Sequence, residues 1–346
     1  MVITKQWWVG LGIVGVAVLA GTGFWWYRQA EYRSGLSSPA PTPPGPTITE
    51  PTPAPPTRYE VLAMVTTSAA TEITSTTADD AKRRILFTDR DEALVVRFTK
   101  STFDGGRFVL AALAKRGEQV ASVLGEISFT PAAKVTTLLA NFGTTEAPVM
   151  SEDGKRIAYI VFSNADPDYG YSLLLMNPDG SNKRRLVKKE TLLTTPTFNP
   201  DGSRLAYLTD TGSGMAIESV DVSGSAAPQR IAEFANETVY DLSWGKELVF
   251  GKRPLAADQA NKGEIYSVSE TGSGLRRLTT NDAFDGSPVL SPDGSTLAFV
   301  RTVFASGQYN AAGELTLVVL NLSDGKETEL GAADAVLGWR PVTESL

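Results

Sequence analysis

Between Ala147 and Phe299 the chain alternates short apolar runs with compact polar breaks, and the breaks recur. Ala147–Tyr159 reads A-P-V-M-S-E-D-G-K-R-I-A-Y, Thr195–Tyr207 reads T-P-T-F-N-P-D-G-S-R-L-A-Y, and Ser287–Phe299 reads S-P-V-L-S-P-D-G-S-T-L-A-F. Each is an apolar run, a turn built on Asp-Gly and a second run rich in β-formers, the pattern of an antiparallel hairpin. The apolar residues just before these turns, Met150, Phe198 and Leu290, are spaced by 48 and 92 residues, the second interval being twice 46. A copy is therefore expected near 244, where Trp244 stands in L-S-W-G-K-E-L-V-F with the three turn residues before Gly245 deleted. One repeat before Met150 falls at Ser101, beside the degenerate Phe103–Leu110, and one repeat after Leu290 falls at Trp339.

The second half of each unit repeats too. Ser172–Leu186, Ala216–Ile231, Ile265–Leu278 and Leu315–Leu330 each read as strand, Gly-containing turn and strand, and Ile127–Leu139 follows more loosely. A period in the mid-forties made of four short strands predicts an all-β propeller. Five units are visible, with strands A to D in each. Tyr59–Thr66, Thr71–Thr77 and Arg84–Thr88 supply three further strands and Val336–Trp339 a fourth, so the two ends of the domain complete a sixth blade and remove the open edges. The expectation is a six-bladed β-propeller over residues 58–346, with seven blades as the alternative.

The plan P-x-(apolar)-S-P-D-G-x-x-(Leu/Ile)-A-(Tyr/Phe) resembles the TolB-type, WD-like bacterial propeller repeat family over about Ser101–Trp339. The departures are the shortened turn at Trp244–Gly245, Glu152 in place of Pro, and the loose first unit. The resemblance implies protein–protein contact around the propeller rather than catalysis. It does not name the partner, because one fold serves many functions.

Ahead of the propeller lie a short tail (residues 1–6), an uncharged apolar run Trp7–Tyr27 and a linker (28–57). As a helix the run reaches about 31 Å, enough to cross a bilayer core. Trp7, Trp8, Trp25, Trp26 and Tyr27 bracket it like interfacial belts. A retained single-pass anchor with an extracytoplasmic propeller is the reading, and a cleaved signal peptide the rival. Ser34–Thr57 holds nine of the 20 prolines and prefers an extended polyproline spacer. Gly10, Gly12 and Gly15 spell G-x-G-x-x-G, but inside an apolar span with no preceding strand this is no dinucleotide site.

Composition narrows the chemistry. A net charge of −7 argues against nucleic acid as a partner. Cysteine and histidine are both absent, which removes disulfides, thiol nucleophiles, the usual neutral-pH base and the commonest metal ligand. No Ser-His-Asp triad can form, and there is no G-x-S-x-G elbow. The turn aspartates Asp153, Asp201 and Asp293 are spread one per blade, as turn formers rather than a metal set.

Strand alternation puts the A–B and C–D turns on one face and the B–C and D–A loops on the other. The first set are tight turns. The second set read as long and dissimilar: Asn164–Gly170, Asp210–Gly214, Lys252–Lys262, Val303–Ala312, Lys188–Thr195 and Asn281–Gly286. Variation on a rigid frame is where binding resides, so the candidate binding residues on this face are Asp166, Asp168, Tyr169, Tyr171, Lys252, Arg253, Asp282, Asp285, Arg301 and Tyr309. Three functions compete: a membrane-anchored, non-catalytic module for an envelope protein or cell-wall polymer; a calcium-dependent hydrolase or lactonase using Asp166, Asp168, Asp282 and Asp285; and a structural or sensory subunit of a membrane assembly. The first is preferred, with no required cofactor.

Overall fold

The repeated Asp-Gly pairs do turn the chain. In the computed structural model, Asp153, Asp201 and Asp293 each accept a hydrogen bond from the backbone N–H two residues on (Lys155, 3.0 Å; Ser203, 2.7 Å; Ser295, 3.0 Å). The glycines that follow have φ of 67°, 70° and 73°, a conformation that costs glycine nothing. The structure describes residues 58–67, 70–77, 82–89, 94–98, 107–116, 119–128, 134–140, 148–165, 167–256, 261–304 and 313–342. The Trp7–Tyr27 run, the linker, the Phe103 turn, Asp166 and Tyr309 lie outside these residues. None of the described residues forms a helix long and apolar enough to cross a membrane.

The described chain opens with β1 (Tyr59–Thr66), β2 (Thr71–Thr77) and β3 (Arg83–Asp89). Five antiparallel sheets of four consecutive strands follow. They are β4 (Leu94–Phe98), β5 (Arg107–Arg116), β6 (Gln119–Ser128) and β7 (Lys134–Ala140); then β8 (Val149–Met150), β9 (Ile157–Ser163), β10 (Gly170–Met176) and β11 (Arg184–Lys189). Next come β12 (Leu193–Phe198), β13 (Arg204–Asp210), β14 (Gly214–Asp221) and β15 (Gln229–Ala235). The last two sets are β16 (Glu237–Trp244), β17 (Leu248–Pro254), β18 (Glu264–Val268) and β19 (Arg276–Arg277), and β20 (Phe284–Leu290), β21 (Thr296–Phe304), β22 (Gly313–Asn321) and β23 (Glu327–Ala332). Finally β24 (Ala335–Pro341) pairs with β1, giving the order β24-β1-β2-β3. The described residues thus hold six four-stranded sheets in a propeller-like arrangement, one of them sewn from both ends of the domain.

The core lies between neighbouring sheets. Leu173, Leu175 and Val187 face Phe198, Leu205 and Tyr207 of the next sheet, and Ile217 and Phe234 face Trp244, Leu248 and Phe250 of the one after. Val289, Val300 and Leu317 pack on Val61, Val336 and Trp339, so burial itself holds the last sheet to the first strands. Leading strands touch leading strands, β12 on β16, β16 on β20 and β20 on β24. Here the register breaks once per strand, next to Thr195, Asp241 and Ser287, whose φ values are 49°, 53° and 55°. These β-bulges turn polar groups toward the neighbouring strand. Ser287 N donates to Asp241 Oδ2 (2.8 Å), and Val336 N donates to Ser287 Oγ (3.1 Å). Trp244 N donates to Thr197 Oγ1 (3.2 Å), and Trp339 Nε1 to Val289 O (3.0 Å).

The loop end differs from the sequence expectation in several places. Asp210–Gly214 is a tight turn, with Thr211 N on Gly214 O (3.1 Å) and Gly212 N on Asp210 Oδ1 (2.6 Å). Strand β12 begins at Leu193 and β20 at Phe284, so the links before them end earlier than their polar residues suggested. Between β15 and β16 a single residue, Asn236 (φ 58°), makes the crossing. Lys252, Arg253, Asp285 and Arg301 are strand residues rather than loop residues. Polar side chains here belong to ladders as often as to loops, and hydropathy alone does not separate the two.

Candidate functional site

Two kinds of polar residue share the loop end, and only one kind faces outward. Asp285, on β20, is fully buried and meets Arg301 of β21 through Nε (2.9 Å) and Nη2 (3.2 Å), with Asn281 Nδ2 donating at 2.7 Å. Arg301 in turn holds Glu327 of β23 by two bonds (2.6 and 2.9 Å) and lies over the Phe299 ring. Burial pushes the Asp285 carboxyl up, and Arg301 and Asn281 pull it partly back. Asp285 and Arg301 are therefore an internal lock across one sheet, contrary to their expected place at a ligand. Lys252 is internal as well. Its Nζ lies 4.4 Å from the Tyr266 ring centre and 5.5 Å from that of Phe234, and it bonds Glu237 at 2.5 Å. A desolvated cation held by two rings and a carboxylate is a packing element.

The other two described aspartates of the candidate set are each matched to a cation. Asp168 receives Arg185 (3.3 Å) and Lys188 (3.7 Å), while Lys188 also donates to Pro167 O (2.7 Å), which pins the loop to β11. Asp282 is 92% exposed and pairs with Lys262 at 2.8 Å, which holds its carboxyl below the usual range. Glu264 sits behind this region, accepting from Thr279 Oγ1 (2.6 Å), Arg277 (2.6 Å) and Asn281 N (2.8 Å). Arg253 is half-buried on β17 near Tyr240. Among the described residues no group of three or more Asp or Glu could hold a metal ion.

Beside these charged groups the loop end also exposes apolar residues. Phe162, Tyr169, Leu192, Leu255 and Val303 are 38–57% exposed, and all five lie where second strands end or where one sheet hands over to the next. Only Ile85 and Leu275 among the described large apolar residues are comparably exposed elsewhere. Phe162 and Tyr171 are cross-strand partners with ring centres 4.8 Å apart, and Tyr169 meets Phe162 edge-on at 5.8 Å. Tyr240 and Phe284 stack at 4.8 Å beneath this end, with Tyr240 Oη donating to Asp285 O (2.9 Å). The packing leaves no room at Gly251, where a Cβ would stand 2.0 Å from the Tyr240 ring.

Of the ten sequence candidates, the structure gathers Asp168, Tyr169 and Tyr171 and sends Lys252, Asp285 and Arg301 inward. Sequence reasoning missed Phe162, Leu192, Leu255 and Val303, because single apolar residues at strand ends look like core. Their signal is positional, each falling within three residues of a strand end that borders a loop or link.

Residues 154–330 match the family model described as the TolB beta propeller domain. The chain is 32% identical over 124 residues to a TolB homolog protein of Chlorobium chlorochromatii, covering 35% of this chain and 26% of that one. It is 30% identical over 145 residues to the Tol-Pal system protein TolB of Bordetella pertussis, covering 42% and 31%. It thus spans about a quarter to a third of these relatives' length. Among solved structures, a putative TolB from Agrobacterium tumefaciens aligns with a TM-score of 0.58 at 14% identity, covering 81% of this chain and 92% of that one. TolB from Acinetobacter baumannii aligns with a TM-score of 0.59 at 14% identity, covering 82% and 67%. The repeated Asp-Gly hairpins, the four-stranded sheets and the matched span lead to one assignment: the chain belongs to the TolB β-propeller domain family.

Proposed function

We propose that this chain is a six-bladed, non-catalytic binding propeller, anchored to the membrane through Trp7–Tyr27 and presenting its loop end to another envelope protein. The carrying observation is the segregation of Phe162, Tyr169, Leu192, Leu255 and Val303 to that end. Exposed aromatic and aliphatic residues on a rigid frame are what a protein partner buries at its hot spots. The first and last described residues meet at the opposite side, where Val342 N donates to Arg58 O (3.1 Å). Relatives bearing the Tol-Pal system name support an envelope setting and a protein ligand. A cell-wall polymer is disfavoured because the polar groups beside the rings, Asp168 with Arg185 and Lys188, already satisfy one another. A calcium-dependent hydrolase is disfavoured because Asp168, Asp282 and Asp285 are each paired to a cation.

The test is capture of solubilised envelope proteins by the full-length chain. Changing the five exposed residues to Ser should remove the captured partner, while Leu275→Ser at the turn end should not. Equal capture by both variants would overturn the reading.

A further inference from the structure

The outer strands of the sheets are not alike. Strand β11 carries Arg184, Arg185, Lys188 and Lys189 in six residues, and Lys183 directly precedes it, in a protein of net charge −7. The outer strand β15 carries one base and one acid, Arg230 and Glu233, which pair with each other at 2.5 Å. The outer strand β23 carries Glu327 and Glu329 and no base. On the two-residue β19, Arg276 and Arg277 are taken up by Glu247 (2.8 Å) and Glu264 (2.6 Å).

The cations of β11 are undersupplied with counter-charge. Asp168 serves both Arg185 and Lys188, and Glu218 serves Lys189 (2.7 Å) while also holding Arg230 (3.0 Å). Arg184 bonds the carbonyls of Val222 and Ser223, and its counter-charge, Asp221, acts on it through space while also serving Arg204. Lys183 is exposed and pairs with no side chain among the described residues. Five cations therefore share two directly paired carboxylates, with Asp221 a third acting through space, along one strand whose far edge bears no neighbour in its sheet.

Basic residues on an edge strand are a common defence against self-pairing, since two such edges repel. The same edge attracts an acidic strand, and its open N–H and C=O groups supply the bonds of strand addition. A second copy offering β23 is disfavoured. Glu327 is consumed by Arg301, and Arg83 caps the carbonyls of Leu330 (3.2 Å) and Ala332 (2.6 Å) beside it. We propose that the open edge of β11 binds an acidic, extended peptide segment of a partner protein as an added strand. This surface adjoins the loop end at Lys188, but its test reads peptide binding at the strand edge and does not depend on that reading.

The probe is an acetylated nonapeptide, E-V-E-T-E-V-E-T-E, titrated into the full-length protein. Saturable binding is expected, with slowed amide exchange over residues 184–189 and affinity falling about tenfold or more between roughly 50 and 300 mM salt. Lys183→Glu, which disturbs no contact, should weaken binding about threefold, and Lys183→Glu with Lys188→Glu about tenfold or more. The same peptide N-methylated on alternate amides keeps its charge but cannot pair along one edge, and it should bind about tenfold more weakly. Equal binding of the N-methylated peptide would replace strand addition by plain charge attraction and overturn the proposal. So would binding unchanged in both charge variants, concentration-dependent self-association in place of peptide binding, or adsorption to phosphatidylglycerol vesicles with none to the peptide.

Discussion

The two ends of the sheets solve opposite problems with the same strands. At the turn end one device recurs: an Asp or Asn accepts the N–H two residues on, and a glycine at positive φ follows. It appears at Asp153, Asp179, Asp201, Asp293 and Asp324. Neighbouring turns are also latched, as where Arg156 donates to Gly202 O (2.6 Å) and the Lys246 stem lies against Gly294. At the loop end that device is only occasional, as at Asp210–Gly212, and no single one links every sheet. One link is a single residue, another is a lock of Asp285, Arg301 and Glu327, and the exposed apolar residues gather there. The difference teaches that regularity serves closure of the fold, where every sheet has the same task, while irregularity marks the end free to bind.

The largest expected effect comes from breaking a lock rather than a turn. Asp285→Ala empties a fully buried carboxylate site, leaves the part-buried Arg301 with Glu327 alone, and should cost about 3 kcal/mol of stability in denaturant unfolding. If the loss were no larger than that of a turn substitution, the loop end would not be framed by this pair. Gly251→Ala drives a methyl into the Tyr240 ring and should cost about 1–3 kcal/mol, with loss of near-ultraviolet tyrosine signal. Asp201→Ala removes one turn bond and should cost about 0.5–1.5 kcal/mol while leaving partner capture intact.

Acid should sharpen the contrast further. Burial pushes Asp153 and Asp293 up, but the Ser151 and Ser291 hydroxyls and backbone N–H groups outweigh it and leave both lowered. Asp201 is lowered chiefly by Ser203. For Glu218, bonds from Lys189, Arg230 and Tyr207 overcome burial. Groups lowered in the folded state stabilise fully above the unfolded carboxylate value and lose that contribution as pH falls through the folded one. Asp285 and Asp334, raised chiefly by burial, act in the opposite sense. The melting midpoint is therefore expected to drop below about pH 4, and Asp201→Ala to flatten that drop slightly. The smallest effect is expected from Ser at Phe162, Leu192, Leu255 or Val303, each within about 0.5 kcal/mol of wild-type stability.

Much of this was legible in the chain. The spacing of Met150, Phe198, Trp244 and Leu290 located the hairpins, because a turn that needs positive φ writes its glycine into the sequence. The strands Tyr59–Thr66 and Thr71–Thr77 could be read from their β-rich runs, and the pairing of the last strand with the first from the strand count and the need to remove open edges. The bulges at Thr195, Asp241 and Ser287 could not, since no glycine marks these positive-φ positions and bonds to the adjacent strand 46–49 residues away hold the backbone there. Nor could the inward course of Lys252, Asp285 and Arg301. A charged residue in a ladder looks like a loop residue until its partner is in place.

The central claim is that the loop end meets the partner. Photo-crosslinking amino acids placed at Leu192, Leu255 and Leu275 of the full-length protein, expressed in its own cells, test it most directly. The account predicts one common adduct from Leu192 and Leu255 and none from Leu275. An adduct from Leu275 alone would put the working surface at the turn end and contradict it.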